Sequence, residues 1–346
     1  MAISLPDPPA LAQALRANPR FRDVTDAAIE PLAMTGLARA HWRIAGRSLV
    51  LRVPRAADPE RSPLASLGRE AAAFARASAS RRTPRLHEII APSAAVPLGA
   101  LVVDEIVGRA PSLPGELGAI AATLAAIHAL ELPPAPARAP LANWGNPFAA
   151  TLALIVRNAG HLDVACTAGE ARRQIESEFA WARDYASGHA GTLALLPRTL
   201  VTLDAHPGNF IVRKDGTAIF VDLEKAGYGS PAIDLAHATL RPALLWGDVG
   251  DAHLARDDVA GFYGSWAAAV PSALAAALRP YLIPCRRLTW LRTTMAFAKF
   301  RASAATAALE PATAARAERA IAAAFDPDEI ERTRQEWLGP EPLDLG

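Results

Sequence analysis

The chain has little of what marks several large protein classes. Cys166 and Cys285 are its only two cysteines, far apart and in unrelated contexts, which supports neither a disulfide framework nor a cysteine zinc site. Charge of one sign is not in excess. The net formal charge is +1, so no large field marks nucleic acid or an anionic membrane as a partner, and there is no basic block of the kind that tracks a phosphate backbone. No uninterrupted apolar run reaches membrane-spanning length. The richest, Leu117 to Leu130, is too short, carries His128 and reads as a buried helix. The first residues, Met1-Ala-Ile-Ser-Leu-Pro-Asp, lack the basic and apolar regions of a signal peptide, so a cytoplasmic protein is expected. No internal repeat is visible, and nothing in the sequence speaks to oligomeric state.

What is present is a globular composition, 51% hydrophobic and 21% charged, over 346 residues, a length that suits two domains. Abundant alanine favours helices but lowers the information in each apolar position. Leu132 to Pro140 and the Gly339-Pro-Glu-Pro tail are Pro-rich and read as loop. One or two short helices are expected before Asp26, with Pro19 as a breaker. His41-Trp-Arg-Ile and Ser48-Leu-Val-Leu-Arg-Val flank Ala45-Gly46 as a hairpin. Leu67 to Ser78 is helical, and Leu86 to Ile90 and Leu101 to Ile106 are short strands. After Pro111 helices dominate, among them Leu117 to Leu130, Glu170 to Gly188 and several beyond Pro231.

The most specific stretch is Val201-Thr-Leu-Asp-Ala-His-Pro-Gly-Asn-Phe-Ile-Val, followed by Ala218-Ile-Phe-Val-Asp-Leu-Glu-Lys-Ala-Gly-Tyr-Gly-Ser-Pro-Ala-Ile-Asp-Leu-Ala. Asp204 and Asn209 share one short loop after an apolar strand. A Lys-Asp-Gly turn at Lys214 to Gly216, between Phe210-Ile-Val and Ala218-Ile-Phe-Val, predicts a hairpin. That hairpin brings Asn209, before its first strand, close to Asp222, after its second. Two oxygen ligands then converge, as Mg²⁺ requires when nucleotide phosphates complete its shell. Asp204 is left to accept a proton from an incoming hydroxyl. Any one of the three alone would read as a turn residue. Together, at this spacing, they point to phosphoryl transfer.

This pattern resembles the aminoglycoside phosphotransferase and choline kinase-like family, which shares the protein-kinase fold. The family's loop reads His-x-Asp, four residues, then Asn; here it runs from Thr202-Leu-Asp204 to Asn209. The family's metal aspartate heads a stretch matched here from Asp222 to Ala236. The resemblance implies an α+β, two-lobed protein-kinase-like fold: a small β-rich nucleotide-binding lobe over 1–107 and a larger, mostly helical catalytic and acceptor-binding lobe over 108–346. It implies a Mg²⁺- and ATP-dependent phosphotransferase acting on a hydroxyl of a small molecule, with an amino alcohol or aminoglycoside-like compound as the candidate acceptor. Asp204 would be the catalytic residue, and Asn209 and Asp222 the metal ligands. Thr202 stands where the family has a His that braces the loop; threonine can hydrogen-bond locally, and a less rigid loop is expected.

The same resemblance assigns nucleotide contacts. Gly36, in Gly36-Leu-Ala-Arg-Ala-His-Trp, falls in the phosphate-covering loop, where Arg39 or His41 could add donors. Arg52 sits on the strand that carries a phosphate-gripping cation, and Glu70 at the helix position that pairs with it. Taken alone, each would read as a water-facing charge. Glu105 and Val107, in Asp104-Glu-Ile-Val-Gly108, would lie at the adenine edge. Asp234 would take backbone hydrogen bonds from the catalytic loop, and His128 would be a structural neighbour of it. Trp246, Asp248, Asp251, Trp266, Trp290 and Arg292 are acceptor-pocket candidates. Aromatics beside carboxylates would suit a cationic acceptor, although tryptophans in helical lobes are often core. A regulatory nucleotide-binding protein with little turnover is the alternative. A protein kinase is disfavoured, because Asp234 follows Asp222 too closely to leave room for an activation loop.

Overall fold

The computed structural model describes residues 5–32, 38–166, 169–247, 253–303 and 309–346. The chain divides into two compact units, Met1–Gly108 and Arg109–Gly346.

The N-terminal unit opens with helix α1 (Pro8–Arg16). The Asp7 carboxylate accepts the Ala10 amide at 2.9 Å, a cap of a kind that contributes about 1 kcal/mol. Strands β1 (Ile29–Pro31), β2 (Arg39–Ile44) and β3 (Leu49–Pro54) follow, then helix α2 (Pro63–Ala77) and strands β4 (Leu86–Ile90) and β5 (Ala100–Asp104). They form one antiparallel sheet in the order β1-β2-β3-β5-β4. Strand alternation sorts the side chains. Ala40, Trp42 and Ile44 of β2 and Leu49, Leu51 and Val53 of β3 enter a core with Leu11, Leu15 and Phe21. Arg39, His41 and Arg52 therefore share the opposite face, with His41 and Arg52 directly paired in register. Helix α2 begins at Pro63 rather than Leu67 because Ser62 caps it through the Ala65 amide and proline suits its first turn. Strand β5 ends at Asp104 rather than Ile106, and the next amide, of Glu105, goes to the Ser48 carbonyl at 2.8 Å.

The C-terminal unit is mostly helical. Its first part holds α3 (Leu117–His128), β6 (Ala142–Asn143), α4 (Pro147–Asn158), α5 (Leu162–Ala165), α6 (Glu170–Gly188) and α7 (Ala190–Leu193). Strands β7 (Thr199–Val201), β8 (Phe210–Val212), β9 (Ala218–Phe220) and β10 (Gly227–Gly229) come next. The remaining helices are α8 (Pro231–Thr239), α9 (Arg241–Trp246), α10 (Arg256–Ala269), α11 (Ser272–Leu278), α12 (Leu282–Ala302), α13 (Pro311–Ala324) and α14 (Pro327–Leu338). Strands β8 and β9 make the expected hairpin, with Gly216 at φ +79° in its turn. Strands β6, β10 and β7 make a small mixed sheet. Thr123 of α3 donates to the Ala218 carbonyl at 2.6 Å, which fastens the hairpin to the helix. No helix among the described residues is long and apolar enough to cross a membrane.

Candidate active site

Two buried anchors hold the loop after β7. Asp234, fully buried near the start of α8, accepts the amides of Thr202 at 2.6 Å and Leu203 at 2.8 Å. It also pairs with His128 Nε2 at 3.1 Å, and His128 Nδ1 accepts Trp266 Nε1 at 3.0 Å. Leu203 adopts φ +60°, a left-handed conformation costly for a residue with a Cβ. Asp234 fixes its amide, and Arg292 donates to its carbonyl at 3.2 Å, so the strain is over-determined by its neighbours. Thr202 itself does not brace the loop through its side chain: its hydroxyl is buried with no hydrogen-bond partner among the described residues. The rigidity expected to be lost with the missing histidine comes instead from Asp234 and His128.

The loop then turns through Pro207–Asn209. Gly208 is required there by close approach, since a Cβ would stand 2.4 Å from the Gly247 carbonyl oxygen. Asn209 donates its side-chain amide to the Asp204 carbonyl at 2.9 Å, and its own carbonyl accepts the Val221 amide at 2.9 Å. The hairpin thus sets Asn209 beside the residue that precedes Asp222. With its NH₂ committed, Asn209 keeps its amide oxygen as the end able to meet a cation. Asp222 supplies a carboxylate, one oxygen of which lies 3.4 Å from the Glu224 amide. A carboxylate and an amide oxygen, without sulfur or imidazole, fit Mg²⁺ that keeps waters and phosphates in its shell. No cluster of three or more His, Cys, Asp or Glu side chains placed to hold a metal by themselves occurs among the described residues.

Asp204 stands among positive and neutral groups. Lys225 Nζ lies 2.7 Å from its Oδ2, and His237 Nδ1 lies 3.9 Å from its Oδ1, beyond hydrogen-bond reach. Burial alone would raise the Asp204 carboxyl, but the charges of Lys225, His206 and His237 and the bond from Lys225 hold it well below the ordinary carboxylate range. The Lys225 side chain is half exposed, and Asp204 and then Glu224 keep its ammonium above its usual value. The imidazoles of His206 and His237 are both pushed down, chiefly by burial, His237 further by Arg292 and His206 further by Lys225. Lys225 was not singled out from the sequence. The signal was available: lysine occurs three times among 36 basic residues, and one of the three lies within the Asp222 to Ala236 motif. His237, directly after that motif, carried no comparable signal.

Asp204 lines a cavity of about 290 Å³ together with the apolar Leu154, Trp246, Phe297 and Phe300 and the polar Lys225, His237 and Arg292. Of the acceptor candidates, Trp246 and Arg292 line it, whereas Trp266 and Trp290 are core side chains. Asp248 and Asp251 lie outside the described residues. Leu154 and Asn158 come from α4, a helix the sequence reading did not assign.

In the N-terminal unit Arg52 is 5% exposed and Glu70 3%, which excludes water-facing charges at both. Arg52 donates Nε to Glu70 Oε1 at 3.2 Å and packs over Phe74, while Arg39 grips Glu70 Oε2 at 3.0 and 2.8 Å. His41 Nε2 lies 3.3 Å from Arg52 Nη1. Glu105 is held by Arg43 at 2.6 Å and donates its amide to the Ser48 carbonyl. Val107 is 71% exposed. Gly36 lies outside the described residues.

A family model described as "Phosphotransferase enzyme family" (APH) matches residues 29–281. The chain belongs to this phosphotransferase family. No curated protein matches it in sequence. Among solved structures, Plasmodium vivax ethanolamine kinase is similar with a TM-score of 0.59 and 12% identity, over 90% of this chain and 85% of that one. Choline kinase from Cryptosporidium parvum Iowa II has a TM-score of 0.59 and 12% identity, over 97% of each chain. The ADP-bound aminoglycoside phosphotransferase APH(2'')-Ib has 0.52 and 14%, over 92% of this chain and 99% of that one. These likenesses show the fold: the phosphotransferase is protein-kinase-like, with an antiparallel sheet in its N-terminal unit and a mostly helical remainder.

Proposed function

We propose that this phosphotransferase is a Mg²⁺- and ATP-dependent kinase of a small hydroxyl compound, with Asp204 as its catalytic residue. The observation that carries the proposal is the Asp204 carboxylate lining a cavity, on a loop whose Asn209 is tied by a backbone bond to the segment leading into Asp222. Asn209 and Asp222 are the residues that would hold Mg²⁺, which when bound neutralises charge on the phosphate oxygens. In the N-terminal unit Arg52, fixed by Glu70, would hold the phosphate tail, a task suited to a guanidinium because it grips two oxygens at once. The backbone at Glu105 and Val107 would meet the adenine edge, and Gly36 the phosphates.

Asp204 receives the acceptor hydroxyl. As the acceptor oxygen bonds to the terminal phosphorus, the bond from that phosphorus to its bridging oxygen breaks, the hydroxyl proton passes to Asp204, and ADP leaves. A carboxylate held this acidic is a weak base. That suits a loose transition state, in which the nucleophile needs orientation more than early deprotonation. Lys225 keeps Asp204 ionised and in place.

The test is ATP consumption with Mg²⁺ across a panel of amino alcohols, hydroxy acids, sugars and aminoglycosides, with the wild type and Asp204→Asn. Turnover should appear with some acceptors and fall about 10²–10⁴-fold in the variant while nucleotide affinity is kept. Near-normal turnover of Asp204→Asn would sink the assignment. Nucleotide binding with no consumption on any acceptor would favour a binding protein.

A further inference from the structure

We infer that the cavity beside Asp204 takes an acceptor bearing a carboxylate on an apolar body, and that Arg292 is the group that recognises it. This rests on the proposed kinase reading for the location of the acceptor, but not for the charge it carries. Three charged side chains line the cavity among the described residues: Asp204, Lys225 and Arg292. Lys225 and Asp204 neutralise each other at 2.7 Å. His237 is held neutral by burial and by Arg292. Among the described lining residues Arg292 is then the surplus charge, and it is positive. Arg292 donates Nη1 to the Leu203 carbonyl at 3.2 Å. Burial lowers its guanidinium, and the more distant carboxylates of Asp204 and Asp234 offset that only in part. A bound carboxylate would complete the compensation.

The form of the anion follows from the same geometry. With Nη1 committed, one edge of the planar guanidinium remains, which matches the two oxygens of a carboxylate. A doubly charged phosphate would stand against the Asp204 carboxylate and the phosphoryl group in transfer. The rest of the described lining is mostly apolar, with Asn158 and Thr293 as its neutral polar members. Trp246 meets Phe297 and Phe300 at centroid distances of 5.4 Å each, and the second pair is edge-on. These rings belong to a small cluster with Ala320 and Ile321 of α13, so the wall is packed from behind. An aliphatic or aryl body fits it. An ammonium-bearing acceptor would face Arg292 and find no second carboxylate among the described lining residues.

The experiment is isothermal calorimetry on the full chain in MgADP with three unreactive probes of one shape: phenylacetate, phenylacetamide and phenethylammonium. Phenylacetate should bind at least tenfold more tightly than the other two. Arg292→Met should remove that preference, and Arg292→Lys should keep part of it, with MgADP affinity and Tm of both variants recorded to show an intact loop. Tightest binding of phenethylammonium, equal binding of all three, or an unchanged preference in Arg292→Met would overturn the inference. A second arm compares ATP consumption with 3-phenyllactate, its methyl ester and 2-amino-1-phenylethanol, and the free acid should be preferred. Preference for the amine would overturn the inference. Selective phenylacetate binding with no ATP consumption on any hydroxyl compound would instead overturn the kinase reading and leave the charge assignment standing.

Discussion

His237 shows how a single side chain is set by its surroundings. It is buried against Arg292, Lys225, His206 and Asp204, and its imidazole is held well below the usual value of about 6.5. Between that folded value and 6.5 the unfolded chain binds more protons than the folded one, so stability is full above about pH 6.5 and is lost as pH falls through the window. His206 contributes in the same direction. Asp204, with its carboxyl also depressed, loses its contribution only at more acid pH. Thermal unfolding from pH 8 to 5 should therefore show a Tm that is nearly level above pH 7 and declines below 6.5. His237→Gln should flatten part of that decline; an identical slope in the variant would show that His237 is not held neutral.

At the scale of elements, α3 and α8 carry the catalytic loop. Thr123 of α3 holds the hairpin, His128 at its end meets Asp234 of α8, and Asp234 takes two loop amides. Asp234→Ala leaves two buried amides and an imidazole without their acceptor and frees Leu203 from its left-handed conformation. A loss of about 3–5 kcal/mol is expected by denaturant unfolding, together with a fall in turnover larger than any change in nucleotide affinity. A variant with unchanged midpoint and turnover would remove Asp234 from this role. Thr202, by contrast, is fully buried. Restoring a histidine there would overpack the site, at a typical cost of about 1–3 kcal/mol, because His128 already occupies the bracing role.

For the whole molecule, ligand linkage gives the clearest readout. A nucleotide that binds the folded chain stabilises it by about 2.7 kcal/mol at a free concentration 100 times Kd. MgADP should raise Tm by several degrees, and removing Mg²⁺ with a chelator should erase most of the rise. Asp222→Ala should make the shift small and indifferent to Mg²⁺. An unchanged, Mg²⁺-dependent shift in that variant would reduce Asp222 to a turn residue.

The sequence by itself determined the parts whose chemistry is local. The hairpin is encoded in its Lys-Asp-Gly turn between two apolar runs, and the hairpin alone brings Asn209 toward Asp222. The β2–β3 hairpin about Ala45-Gly46 and the helical span of α6 were also legible, because turn and period act over a few residues. Only the tertiary structure decided the rest. His128 meets Asp234 across 106 residues, and Arg292 reaches the Leu203 carbonyl across 89. Trp246 and Trp290 both stand in helical stretches, yet one lines the cavity and the other is core. Helical periodicity reports that a face is buried, and it carries no information about which distant face it meets. The loop's support and the charge of the acceptor cavity are both properties of such meetings. They could be read only once the helices had packed.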